Sequence, residues 1–71
     1  MRLKVKLKDV SNKGLTSCEY YYVEKYEFTK GGYLKLHFIE NSPAYNAYGK
    51  TSIIRDIKKD NIESLKEIDK V

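Results

Sequence analysis

The sequence predicts a small, mainly β domain, an antiparallel meander or SH3-like barrel of about five strands. Three observations predict it. Apolar and polar residues alternate with period two in several segments. A glycine-rich triplet, Lys30-Gly31-Gly32, separates two of those segments at hairpin length. The chain has 71 residues, enough for a single domain spanning 1–71 and too few for two. The alternative is an α+β domain in which residues 60–70 form a short C-terminal helix.

The elements follow in order. Residues 2–9 alternate, with Leu3, Val5 and Leu7 on one side and Arg2, Lys4, Lys6 and Lys8 on the other, as in a half-buried strand. Residues 11–16 read as a loop from their Asn and Gly. Residues 18–28 are rich in aromatic and β-branched side chains and read as one strand. Residues 33–39 form the next, with Leu34, Leu36 and Phe38 on one face. A three-residue loop between them pairs Phe28 with Leu34 and Tyr26 with Leu36. The same register would set Glu24 against Phe38. A β-bulge near Glu24 and Lys25 is therefore expected, turning Tyr21 and Val23 inward.

Residues 41–49 carry the signals of one short helical turn. Ser42 suits the N-cap, Pro43 the first helical position and Gly49 the residue past the end. An open loop is the competing reading. Residues 51–57 form another strand, although the Ile53-Ile54 pair blurs its facing. Asp60-Asn61-Ile62-Glu63 has capping-box spacing, and Ile62, Leu65 and Ile68 recur every three residues, which suits a helix. A tight turn at 58–61 followed by a strand at 63–68 is preferred, because a fifth strand covers an open sheet edge. The expected core is Leu3, Val5, Leu7, Tyr20, Tyr22, Tyr26, Phe28, Leu34, Leu36, Phe38, Ile53, Ile57, Ile62, Leu65 and Ile68.

Composition removes several function classes. Apolar residues make up 41% and charged residues 34%, a globular rather than a disordered balance. No run approaches eighteen apolar residues, so no membrane partner is expected. The alternating N-terminus is not expected to act as a signal peptide. The single cysteine, Cys18, excludes an internal disulfide and suits a reducing, cytoplasmic setting. One histidine and one cysteine cannot build a zinc site, and no phosphate-binding glycine motif is present. His37 falls at an outward strand position, Cys18 reads as a small buried hydrophobe, and Glu24 and Glu27 fall on opposite faces of a regular strand. No enzyme activity, cofactor or metal is expected.

Residues 30–38, Lys-Gly-Gly-Tyr-Leu-Lys-Leu-His-Phe, resemble over nine positions the aromatic RNA-contacting strand of RNA-recognition motifs. The pattern departs from that family at Leu34, Leu36 and Gly32. The chain also lacks the two long helices of that fold, so no family is assigned.

Two features carry the functional expectation. Seven of the nine aromatic residues are tyrosines, whose apolar ring and wettable hydroxyl suit contact surfaces. A non-catalytic module is expected that binds a protein partner, as yet unidentified, through Tyr21, Tyr33, Lys35, His37, Tyr45 and Tyr48. The alternative is a nucleic-acid-binding small β-barrel using Lys4, Lys6 and Lys8. Against that alternative stands cross-strand pairing of the basic N-terminus with the acidic Asp60, Glu63, Glu67 and Asp69. The chain carries a net charge of +4. Either a monomer or a homodimer is compatible with so small a core. The Lys-, Ile-, Asn- and Tyr-rich composition fits an AT-rich genome and, by association, a phage or mobile-element accessory protein.

Overall fold

A computed structural model of the protein describes residues 1–8 and 17–70. The expected loop at 11–16 lies outside the described residues. Six strands and one short helix follow in order: β1 (Arg2–Leu7), β2 (Ser17–Tyr20), β3 (Val23–Phe28), β4 (Tyr33–Phe38), α1 (Pro43–Tyr48), β5 (Thr51–Lys58) and β6 (Ile62–Ile68). They make two three-stranded antiparallel sheets, ordered β2-β1-β6 and β3-β4-β5. The mainly β class is as expected. Among the described residues the sheets face each other without closing into a barrel, and there are six strands rather than five.

The additional strand comes from a break in residues 18–28. Tyr22 adopts φ +63, a left-handed conformation that a bulky side chain rarely takes. The chain turns a corner there, so β2 joins the first sheet and β3 the second. Backbone bonds hold the corner: the Ile39 amide donates to the Tyr22 carbonyl at 2.8 Å, and the Val23 amide to the Met1 carbonyl at 2.9 Å. The N-terminal ammonium returns a bond to the Val23 carbonyl at 2.6 Å. The expected bulge is present, with the register slipping between Val23 and Lys25. It turns Val23 fully inward. Tyr21, expected inward with it, lies instead at the corner and is 46% exposed.

The hairpin has the expected register, Phe28 opposite Leu34 and Tyr26 opposite Leu36. Its loop closes through the Gly32 amide on the Thr29 carbonyl at 2.8 Å, with Gly32 at φ +87. This is a turn followed by a left-handed residue, where glycine avoids the Cβ clash. The turn at Lys59–Asn61 is one turn of 3-10 helix. It hands the chain from β5 in the second sheet to β6 in the first. The C-terminal segment is thus a strand, and the helical alternative for 60–70 is not adopted.

The core lies between the sheets. Leu3, Val5 and Leu7 from β1 meet Val23, Leu34, Leu36, Phe38 and Ile57 from the second sheet, all buried. Ile53, expected in the core, is 40% exposed, because register sets Ile54 opposite buried Leu34 and leaves Ile53 on the outer face opposite Lys35. Tyr22 is half-buried at its corner rather than part of the core, and Val23 takes the inward place. Ile62 and Leu65 pack half-buried against the core, whereas Ile68, opposite Arg2 in the ladder, lies outside it.

Candidate functional site

The site is built from strand ends and one short helix. Ser42 caps α1 by accepting a bond on Oγ from the Tyr45 amide at 3.1 Å, with Pro43 in the first turn. Gly49, at φ +90, stops the helix and donates its amide to the Tyr45 carbonyl at 2.8 Å. In so short a helix residues four apart share a side. Ala44 and Tyr48 therefore face together, while Tyr45 points elsewhere. The Tyr48 ring lies over Phe38 with centroids 5.9 Å apart and planes tilted by 35°. Phe38 ends β4 on its inward face.

This arrangement opens a cleft where β2 and β5 approach without pairing. One part, of about 240 Å³, is lined by Tyr20, Phe38, Tyr48, Ser52 and Ile54. The adjoining part is bordered by Glu19, Tyr20, Tyr21, Phe38, Ala44 and Tyr48. Phe38 and Tyr20 form the base, and the two most exposed tyrosines, Tyr21 at 46% and Tyr48 at 68%, stand at the rim. The Tyr20 hydroxyl accepts a bond from the Cys18 thiol at 3.5 Å. Burial first, then the Cys18 thiol and the Asp56 carboxylate, pushes the Tyr20 phenol well above its ordinary pKa. The Tyr20 phenol therefore stays neutral beneath the cleft that its side chain helps to line.

The structure divides the six expected protein-binding residues among three places. Tyr21 and Tyr48 meet at the cleft. Tyr45 lines a separate hollow of about 230 Å³ with Glu24, Glu40, Lys50 and Phe38. Tyr33, Lys35 and His37 alternate with buried Leu34, Leu36 and Phe38, so they lie on the outer face of the second sheet. Two of these three are engaged within the domain. Lys58 Nζ sits 5.2 Å from the Tyr33 ring centroid. His37 Nε2 lies 2.6 Å from Glu27 Oε2. That hydrogen bond, opposed in part by desolvation, holds the exposed Glu27 carboxyl below its ordinary value. Glu24 and Glu27 do not converge, since one borders the Tyr45 hollow and the other pairs with His37.

Lys4, Lys6 and Lys8 are all exposed. Lys4 and Lys6 lie on the outer face of the first sheet, opposite the buried row of β1. As expected for a neighbouring first and last strand, β1 pairs with β6. The expected charge pairing forms only in part. Register sets Lys4 against Lys66 and Lys6 against Ser64. Glu63, at the register slip, reaches Lys6 at 3.2 Å. Glu67 instead accepts a bond from the Tyr26 hydroxyl at 3.2 Å.

Tyr20, Phe38 and Ile54 entered the sequence reading as core or as an ambiguous strand position. Only the approach of β2 to β5 makes them cleft walls. Lys66 was not singled out at all, because its facing depends on the β1–β6 register. No group of three or more His, Cys, Asp or Glu side chains able to hold a metal ion exists among the described residues. No helix among them is long and apolar enough to cross a membrane. No family model, curated protein or solved structure matches the chain.

Proposed function

We propose that the protein is a non-catalytic binding module that docks a protein partner on the aromatic cleft between β2, β5 and α1. The observation that carries this reading is the pair of exposed tyrosines, Tyr21 and Tyr48, held at the rim of a cleft with an aromatic base. Tyrosine is enriched at protein interfaces because it buries a large rigid ring at low entropic cost and can still bond through its hydroxyl. The Tyr48 ring is already fixed by its contact with Phe38, which lowers the ordering cost on binding. A cytoplasmic setting and an accessory role in a phage or mobile element belong to the same reading and are supported by composition.

The test is capture of partners from nuclease-treated lysate by immobilised wild type, Tyr48→Ala and Tyr33→Ala. Truncating an interface anchor costs about 2 kcal/mol or more, so Tyr48→Ala loses a partner that wild type retains. Its thermal transition persists, reduced by about 0.5–1.5 kcal/mol through the lost contact with Phe38. Tyr33→Ala retains the partner. Loss of the partner with Tyr33→Ala and retention with Tyr48→Ala would move the working surface to the outer face of the second sheet.

A further inference from the structure

On the outer face of the first sheet Lys4 lies between Glu19 on β2 and Lys66 on β6, and cations outnumber acids. Val5 and Leu65 are register partners and turn inward, so their neighbours Lys4 and Lys66, partners in the same ladder, both turn outward and are exposed. Cβ atoms of directly opposed residues lie about 4.5–5.5 Å apart, and like charges there oppose pairing. Along β1 the next outward lysine, Lys6, follows about 6.7 Å away, two residues of strand rise. Lys8 is exposed just past the end of β1. Ser17 and Ser64 flank Lys6 on either side.

Two carboxylates share this side of the sheet, and each is already taken up. Glu19 lies 3.2 Å from Arg2 and Glu63 lies 3.2 Å from Lys6. Lys4, Lys66 and Lys8 have no carboxylate within ion-pair distance among the described residues. Five cations thus face two acids. At the Arg2 end, the guanidinium sits 5.5 Å from the Tyr21 ring centroid, and the ring remains 46% exposed. A row of ammonium groups, of which Lys4, Lys66 and Lys8 have no carboxylate partner among the described residues, with hydroxyls beside Lys6 and an arginine-backed aromatic ring at one end, matches what a single-stranded nucleic acid presents. Its phosphates need point charges and donors, and its bases need a flat surface.

We propose that the outer face of the β2-β1-β6 sheet binds the backbone of single-stranded nucleic acid through Lys4, Lys66, Lys6 and Lys8, with Tyr21 as a stacking platform for a base. Lysine rather than arginine dominates the row, so contact is through point charges on phosphate and carries little sequence preference. The lysine row lies apart from the aromatic cleft of the proposed protein interaction, while Tyr21 borders both, so the lysine variants test this proposal separately from that one.

The experiment is fluorescence anisotropy with labelled oligo(dT) and oligo(rU), a duplex DNA of equal length, and polyglutamate as competitor. Wild type binds both single strands at low salt. Affinity falls log-linearly with salt, at about −0.7 per phosphate neutralised, so a slope of about −3 marks contact by all four lysines. Lys66→Glu weakens binding at least about tenfold at low salt, since it removes one phosphate contact and adds a repelling charge. The same variant melts no lower than wild type, because it turns an opposed lysine pair into an attractive one. Lys30→Glu, with the same change in net charge on the hairpin tip of the other sheet, binds like wild type. Tyr21→Ala weakens single strands about fivefold or more and leaves duplex binding unchanged. Absence of binding at low salt overturns the proposal, as does equal loss in Lys30→Glu and Lys66→Glu. Duplex preference with no effect of Tyr21→Ala overturns the single-strand assignment. Displacement by polyglutamate as effective as by unlabelled oligo(dT) shows a general anion surface instead.

Discussion

Tyr20 illustrates how one side chain serves two roles. Its side chain packs against the core and lines the cleft, while its hydroxyl is bonded to Cys18. Its raised pKa makes folding favour the neutral phenol. The stabilisation is complete below the unfolded-state value of 10.0 and is lost as the pH rises past it. Tyr26 is raised in the same direction, by desolvation first and then by its bond to Glu67. Denaturant midpoints measured from pH 8 upward are therefore expected to fall steeply above pH 10 in wild type and less steeply in Tyr20→Phe. An equal fall in both would assign the alkaline limb to other groups. Glu27 acts at the other end of the scale. Its carboxyl is held below 4.5, so its contribution is present above that value and is lost as the pH falls through the lowered one.

At the scale of elements, local signals were legible wherever the chain's own neighbours supply the partners. The Ser42 cap, Pro43, Gly49 and the glycine hairpin are all where the sequence puts them. These features make separable predictions. Ser42→Ala removes a cap whose oxygen accepts the Tyr45 amide and costs about 1 kcal/mol. Because α1 carries Tyr48, the same change also loosens the cleft. Gly32→Ala meets open space but forces a Cβ onto φ +87, costing about 1–2 kcal/mol. It leaves the cleft residues in place. Chemical denaturation of the two variants, with tyrosine fluorescence anisotropy as a probe of ring mobility, checks both. Loss of rigidity is expected in Ser42→Ala and not in Gly32→Ala.

The molecule as a whole has a small core shared between two sheets, with no disulfide linking them. The sheets are joined by the Tyr21-Tyr22 corner, the Lys59–Asn61 turn and the bonds between Met1 and Val23. Leu36 is fully buried at the centre of the second sheet. Leu36→Ala removes buried volume at a cost of about 2–5 kcal/mol, comparable to the whole stability of a domain this small. That variant is expected to be largely unfolded at 37 °C. Far-UV circular dichroism of wild type is expected to be sheet-dominated, with helix well under the roughly one third of an average globular protein. A folded Leu36→Ala with an unchanged midpoint would contradict the buried position assigned to it.

The sequence by itself determined the period-two strands, the hairpin and its register, the bulge beside Val23 and the capped helical turn. Each depends on spacing within a few residues or across one tight loop, where φ/ψ preferences and side-chain alternation act directly. It did not reveal that residues 18–28 break at Tyr22, because a tyrosine at positive φ is held there by distant partners, Met1 and Ile39. It grouped Tyr21, Tyr33, Tyr45 and Tyr48 on one surface, and the fold divides them among three places. Tyr33 and Tyr48 read alike in the chain. The fold puts the first on the outer sheet face under Lys58 and the second at the cleft rim over Phe38. Lys66 looked like part of an acidic tail until the β1–β6 ladder set it opposite Lys4. Which residues share the outer face of the first sheet is decided by strand pairing between segments about sixty residues apart. That pairing is fixed by burying Val5 with Leu65, and a one-residue slip would reverse every facing.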